Sequence, residues 1–389
     1  MMPQEREELL RSALRAHRER GARMCFCVIG AGHGGLAMAG HLAIMGYPVR
    51  LYNRTQENLH AVRWHGGISV SGAVEGFGAI QVATSVMREA LDGADVVMVV
   101  VPATAHRFVA REAAPWLRDG QIVVLNPGRT GGSFEFQETL RRAGCRNAVL
   151  LAETATFVYA SRALSRWEAR IFSIKNSVRF AALPAYWTPE LLSVLHRAFP
   201  QFMPADNVLS TGMENIGAIF HPALTLLNAG WIESTRGDFD YYIHGISPSV
   251  ARALEILDSE RLAVASSLGV RAVSAREWLY LTYDSAGRDL YEAIQNTTAY
   301  RGIRAPSNIL HRYVTEDVPM SLVPLASLGR MLEVRVPMIE MVITLANVMH
   351  GRDYWNEGRT VETMGLAGLS VKEIRQRAVG IESGIAEGG

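Results

Sequence analysis

The stretch "AIFHPALTLLNAG", residues 218–230, places His221, Thr225 and Asn228 in a run that is otherwise apolar or small. On an α-helix, positions three, four and seven apart share a face, so the three polar side chains would form one stripe. An imidazole titrates near neutral pH and can take and return a proton. A histidine on an apolar face also serves as a hydrogen-bonded core residue, and this stretch alone fits either role. Pro222 has no N–H, so it should kink the helix or free a carbonyl near Ala218. A second informative stretch, "HRYVTEDVPMSLVPLASLG", starts at His311 and carries Arg312 and Asp317. A guanidinium is a planar fork for a substrate carboxylate, and an aspartate can orient an imidazole and stabilise its cation. An internal Arg–Asp ion pair would explain the same two residues.

A third stretch, "CFCVIGAGHGGLAMAGHLAIMGYPVRLYNR", reads as strand, glycine turn, small-residue helix and second strand. Gly30, Gly32 and Gly35 fit G-x-G-x-x-G, with His33 and Gly34 inside the same loop. In that motif the first glycine permits a tight turn, the second lets backbone approach a pyrophosphate, and the third allows close helix–strand packing. The helix N-terminus then faces the phosphates. NAD sites usually end the second strand in Asp or Glu; this chain has Asn53 and Arg54 there. With no carboxylate to repel a 2′-phosphate and a guanidinium to pair with it, NADP(H) is favoured and NAD(H) stays open. Arg54 stacking on the adenine is the alternative. The strands in "ADVVMVVVPATAH", "GQIVVLNPGRTGG" and "NAVLLAET" end in loops beginning at Pro102, Asn126 and Glu153. At the carboxyl ends of a parallel sheet, these loops should surround the nicotinamide and the substrate.

The elements around these residues suggest two domains. Residues 1–23 form a charged extension with a short amphipathic helix at Leu9, Leu10 and Leu14, an appendage or an upstream start. Residues 24–205 alternate strands and helices as a Rossmann-type dinucleotide-binding domain, and residues 206–389 are expected to be all-α and to hold the substrate. In the second half, one helix should run from about Gly212 to Ser234. In "SPSVARALEILDSERLAVASSLGV" the polar side with Asp258, Glu260 and Arg261 reads as a solvated face, and "VPMIEMVITLANVMH" as a buried helix with methionine core filler. A net charge of +1 gives no reason to expect nucleic acid or an anionic membrane as partner. Three cysteines do not suggest a secreted disulfide framework, and Cys25 and Cys27 lack further ligands for a metal. No apolar run is long enough for a membrane span, so a cytoplasmic enzyme without metal is the expectation. A homodimer is left open, since residues 336–349 suit a core or a dimer surface equally.

With these residues in view, the chain resembles the octopine/nopaline (opine) dehydrogenase family from residue 24 to residue 377. The resemblance rests on "GAGHGGLAMAGHLA", "NPGRTGGSFEF", "ETATFVYASR", "IFHPALTLLNAG", "FDYYIHGISPSVARALEILDSERLAVASSLGV", "RYVTEDVPMSLVP" and "GRTVETMGLAGLS". It implies a catalytic histidine at His221, its carboxylate partner at Asp317 and a keto-acid-binding arginine at Arg312. It also implies NAD(P)H-dependent reduction of the imine formed from an α-keto acid and an amino acid. Asn228 is a candidate hydrogen-bond partner for substrate, Thr225 a weaker one, and Thr154 and Tyr159 candidate borders of the amino-acid pocket. A ketopantoate-reductase-like or hydroxyacid-type NADP reductase shares the two-domain plan, though such enzymes use lysine as acid. A nucleotide-binding redox sensor without turnover would need no proton relay. The identities of the amino acid and the keto acid are not legible in these residues.

Overall fold

The computed structural model describes residues 3–380. The chain folds into two compact units, one of residues 3–211 with 373–380 and one of residues 212–372. The break thus falls after Thr211 rather than at the expected 205, and the end of the chain returns to the first unit. There Arg377 donates to Gln137 at 3.4 Å.

In the first unit the strands are β1 (Phe26–Ile29), β2 (Val49–Tyr52), β3 (Gly67–Gly72), β4 (Gly76–Ala79), β5 (Val82–Thr84) and β6 (Val96–Val99). They are followed by β7 (Ile122–Leu125), β8 (Leu150–Thr154), β9 (Tyr159–Ala163), β10 (Glu168–Ile174), β11 (Val178–Leu183) and β12 (Phe202–Pro204). An eight-stranded sheet has the order β12-β11-β8-β7-β6-β1-β2-β5. From β5 to β8 every pairing is parallel, and β11 returns antiparallel to β8. This is the doubly wound dinucleotide-binding order, with its direction of winding reversing between β1 and β6. All four residues of β1, of β6 and of β7 are buried, as expected for strands covered by helices on both faces.

The sequence does not announce a second sheet, β4-β3-β10-β9. It packs on the helix His33–Ile44, and this explains the small residues of that helix. A Cβ at Gly40 would lie 2.5 Å from Val70, and one at Gly78 would lie 2.5 Å from the Gly40 carbonyl. The helix is sandwiched between two sheets at glycine-limited distance.

The amino-terminal helix Pro3–Arg20 is no appendage. Leu10 and Leu14 are buried in the first unit's core, and Ala13 sits where any side chain at Gly120 would be. His17 donates from Nε2 to the Gly120 carbonyl at 2.9 Å, and Arg20 pairs with Asp95, which also accepts the Cys25 N–H at 2.9 Å. Gly120, Asp95 and Cys25 lie just before β7, β6 and β1, so the helix covers the amino-terminal edge of the sheet.

In the second unit the expected helix over 212–234 is two, Gly217–Leu227 and Ala229–Thr235, broken at Asn228 rather than at Pro222. The polar side of Pro248–Ser267 is not solvated: Asp258, Glu260 and Arg261 are all buried. Arg261 donates to Asp258 and to the carbonyls of Met213 and Val273. Glu260 accepts the Met338 and Ile339 amides, both at 2.8 Å, and so caps the helix Pro337–His350. That last helix buries only one face. Ile339, Val342, Ile343 and Ala346 point inward, while Met341, Val348 and Met349 are exposed instead of filling a core. No helix among the described residues is long and apolar enough to cross a membrane.

Replacing Leu14 by Ala should cost about 2–5 kcal/mol in chemical denaturation, the range for a fully buried leucine. A loss under about 0.5 kcal/mol would show that the helix is not part of the core.

Candidate functional site

The glycine loop joins β1 to the helix His33–Ile44. Gly30 has φ +119°, and a side chain there would strike the Val100 carbonyl at the end of β6. A Cβ at Gly35 would strike the Gly30 carbonyl, so helix and strand meet backbone to backbone. Nothing lies within 4 Å of where a Cβ of Gly32 would be, and no side chain caps the helix. That open space at an uncapped helix N-terminus fits the pyrophosphate of a dinucleotide. His33 faces elsewhere, accepting the Ala163 N–H on Nδ1 at 2.9 Å and tying the loop to β9.

After β2, Asn53 accepts the Thr55 N–H at 2.9 Å, and the exposed Arg54 guanidinium lies 5.2 Å from the Phe108 ring centroid. Pro102 is exposed at the end of β6. The buried Asn126 spends its amide on the Val124 carbonyl at 2.9 Å. Glu153, buried at the end of β8, accepts from the Ser133 N–H and hydroxyl and from the Thr211 hydroxyl.

Thr154 is fully buried, and the Tyr159 hydroxyl bonds His41 Nδ1 at 2.9 Å within the hydrophobic core. Burial pushes that phenol's pKa up.

In the second unit His221 and Asp317, 96 residues apart in sequence, meet at 2.8 Å through Nδ1 and Oδ2. Asp317 is buried and the imidazole is one-fifth exposed. The Tyr313 ring stacks on the imidazole at 4.0 Å, and the Tyr242 hydroxyl lies 3.2 Å from Nε2. Thr225 and Tyr241, their hydroxyls 2.6 Å apart, reach the His221 carbonyl at 2.7 and 3.0 Å. Thr225 therefore holds the helix that carries His221 rather than a ligand. Desolvation pushes the phenols of Tyr241 and Tyr242 well above their ordinary range, and that of Tyr313 upward as well. These hydroxyls stay protonated at neutral pH. With Nδ1–H donated to Asp317, Nε2 is the basic nitrogen and the Tyr242 hydroxyl donates to it.

Arg312 does not pair with Asp317. Its Nε and Nη2 both reach Glu316 Oε2, at 3.1 and 2.8 Å, and its side chain is exposed. The pair is an i,i+4 contact on one helical turn. Asn228 gives both amide hydrogens to backbone carbonyls, Leu224 at 2.9 Å and Gly245 at 3.0 Å. It has only an acceptor left and cannot hold a carboxylate.

Sequence reasoning missed the tyrosines and Gly217. A signal existed for Tyr313, which stands four residues before Asp317 and thus on the same face of a helical turn. Gly217 gives no such signal. A Cβ there would lie 3.0 Å from Cε1 and 3.2 Å from Nδ1 of His221.

A doubly wound sheet with this glycine loop, joined to a helical unit bearing a carboxylate-held imidazole, is the plan of a pyridine-nucleotide-dependent oxidoreductase. Residues 204–350 match the family described as NAD/NADP octopine/nopaline dehydrogenase, alpha-helical domain, and residues 25–144 match the NAD binding domain of 6-phosphogluconate dehydrogenase. An opine dehydrogenase of Arthrobacter sp. (strain 1C) is 37% identical over 90% of this chain and 97% of its own. Protein ocs of Agrobacterium tumefaciens is 25% identical over 91% of this chain and 99% of its own. An octopine dehydrogenase solved with NADH and L-arginine shares the fold with a TM-score of 0.76, at 21% identity over 92% of this chain and 99% of that one. The chain belongs to the opine dehydrogenase family, NAD(P)-dependent oxidoreductases acting on CH–NH bonds.

Gly217→Ala should lower kcat on the order of 10–100-fold, because an imidazole held by Asp317 and Tyr313 has little room to retreat and small misplacements are costly in catalysis. Tm and cofactor affinity should hold. An unchanged kcat would show that the ring accommodates the methyl group or takes no part in turnover.

Proposed function

We propose that the chain condenses an α-keto acid with the amino group of an amino acid and reduces the resulting imine with NADPH, and that His221 moves the protons. The observation that carries this reading is the 2.8 Å bond from His221 Nδ1 to the buried Asp317. An amino acid's ammonium has no lone pair, so a base must remove a proton before nitrogen attacks the keto carbon. Nε2 is suited to that step, and the imidazolium formed can protonate the departing hydroxyl. Asp317 holds the tautomer and stabilises the imidazolium. Tyr242 can donate to Nε2 when the ring is neutral and accept from Nε2–H when it is charged. A bound reduced nicotinamide supplies the hydride, which goes to the imine carbon. Arg312, exposed and tied on one side to Glu316, is offered for the keto acid's carboxylate.

The preference for NADPH rests on Arg54 at the end of β2 and on the absence of a carboxylate at positions 53 and 54. Its guanidinium, over Phe108, is exposed to a 2′-phosphate.

The test is a matrix of keto acids against amino acids, followed by absorbance of the reduced cofactor. Turnover should require both substrates. NADPH oxidation by a keto acid alone would favour a hydroxyacid-type reductase, and no oxidation with any pair would favour a nucleotide sensor. His221→Ala should lower kcat on the order of 10²–10⁴-fold with cofactor binding intact; a variant that keeps most of its turnover rejects the proton role. Arg54→Ala should lower kcat/KM for NADPH on the order of 10-fold and leave NADH use nearly unchanged. Equal loss with both cofactors would make Arg54 an adenine contact instead.

A further inference from the structure

Lys175 is one of two lysines among the chain's 39 lysines and arginines, and the reading above gives it no task. It directly follows β10, and its backbone N–H donates to the Val158 carbonyl at 2.9 Å. Its half-buried side chain donates from Nζ to the Thr156 hydroxyl at 2.6 Å. Thr156 and Val158 belong to the loop after β8. Phe157 between them abuts the glycine loop, within 2.9 Å of where a Cβ of Gly34 would be. The ammonium therefore sits at the carboxyl edge of the parallel sheet, the edge where ligands bind in this architecture.

Among the described residues no carboxylate pairs with it. The charge that acts on it has the same sign: Arg129, in the loop after β7, held in left-handed backbone at φ +61°. Burial and then this guanidinium push the Lys175 pKa down to about 8. A cation partly withdrawn from water, with one neutral acceptor, is better satisfied when an anion completes it. Non-glycine residues in left-handed backbone also cluster where a ligand is gripped.

We propose that Lys175, with the Thr156 hydroxyl, holds a carboxylate of the substrate. This rests on the functional reading above. A phosphate is the poorer fit, because the open space at Gly32 and the uncapped helix N-terminus already serve the pyrophosphate. Lys175 belongs to the side of β7 and β8, where the nicotinamide half of a dinucleotide lies. The product of the proposed reaction carries two carboxylates, one from each reactant, and each calls for a cationic or hydrogen-bonding partner. A half-buried ammonium is a suitable partner, and among the described residues no counter-ion takes its charge, which leaves it for the ligand.

The test uses the full chain as Lys175→Met and Lys175→Arg. KM is measured for each reactant, NADPH affinity by fluorescence and Tm by calorimetry. Pyruvate and an amino acid are also titrated into the NADPH-bound wild type and variants. Lys175→Met should weaken one carboxylate reactant on the order of 10–100-fold, in KM and in direct binding, with NADPH affinity and Tm unchanged. Lys175→Arg should recover part of the loss. If the affected reactant is the amino acid, the amine lacking its carboxylate should lose nothing further in the variant. Weaker NADPH binding alone would assign the ammonium to a cofactor phosphate, and a changed Tm or kcat with both reactants bound normally would make it structural. Either result overturns the proposal. The functional reading stands on wild-type turnover and Lys175 on variant binding, so the two can fail separately.

Discussion

A carboxylate buried as deeply as that of Asp317 is costly unless an opposite charge or a good donor meets it. The donor is Nδ1 of His221, and much of the second unit's centre follows from that bond. It brings together two segments with no sequence proximity and leaves Nε2 as the basic position of the ring. Tyr313 packs on the ring, Tyr242 covers Nε2, and Gly217 leaves the space that the ring fills. The Thr225 and Tyr241 hydroxyls fix the backbone from which the ring projects.

Both units bury charged groups, and they differ in what sets their helix contacts. In the first, the sheet is apolar through its centre, and its helix contacts are set by glycines whose missing side chains let backbone touch backbone. Its energetics are those of hydrophobic burial and close packing. In the second, charged side chains lie buried between helices. Arg261 ties its helix to two carbonyls and Asp258, and Glu260 caps a neighbouring helix. Each of these groups is stable only while its partners are in place.

The fold was largely legible because its signals are local. Each glycine of the G-x-G-x-x-G loop answers a separate steric demand, and continuous apolar strands alternating with helices imply a parallel sheet. The meeting of His221 with Asp317 was not legible from spacing; only likeness to a family suggested it. Asp258, Glu260 and Arg261 misled because a polar helix stripe looks the same whether it faces water or a buried network. Residue type did not reveal where Asn228, Thr154 and Tyr159 spend their hydrogen bonds. The Arg312–Glu316 pair, by contrast, could have been read from its four-residue spacing. The second sheet gave no early sign beyond the glycines it packs against.

The docking of Pro3–Arg20 has a practical side. Because this helix lies on the trailing edge of the sheet, away from the glycine loop, immobilisation through the amino end would attach the first unit by the edge opposite that loop. The support would then stand on the side of that sheet away from its glycine loop.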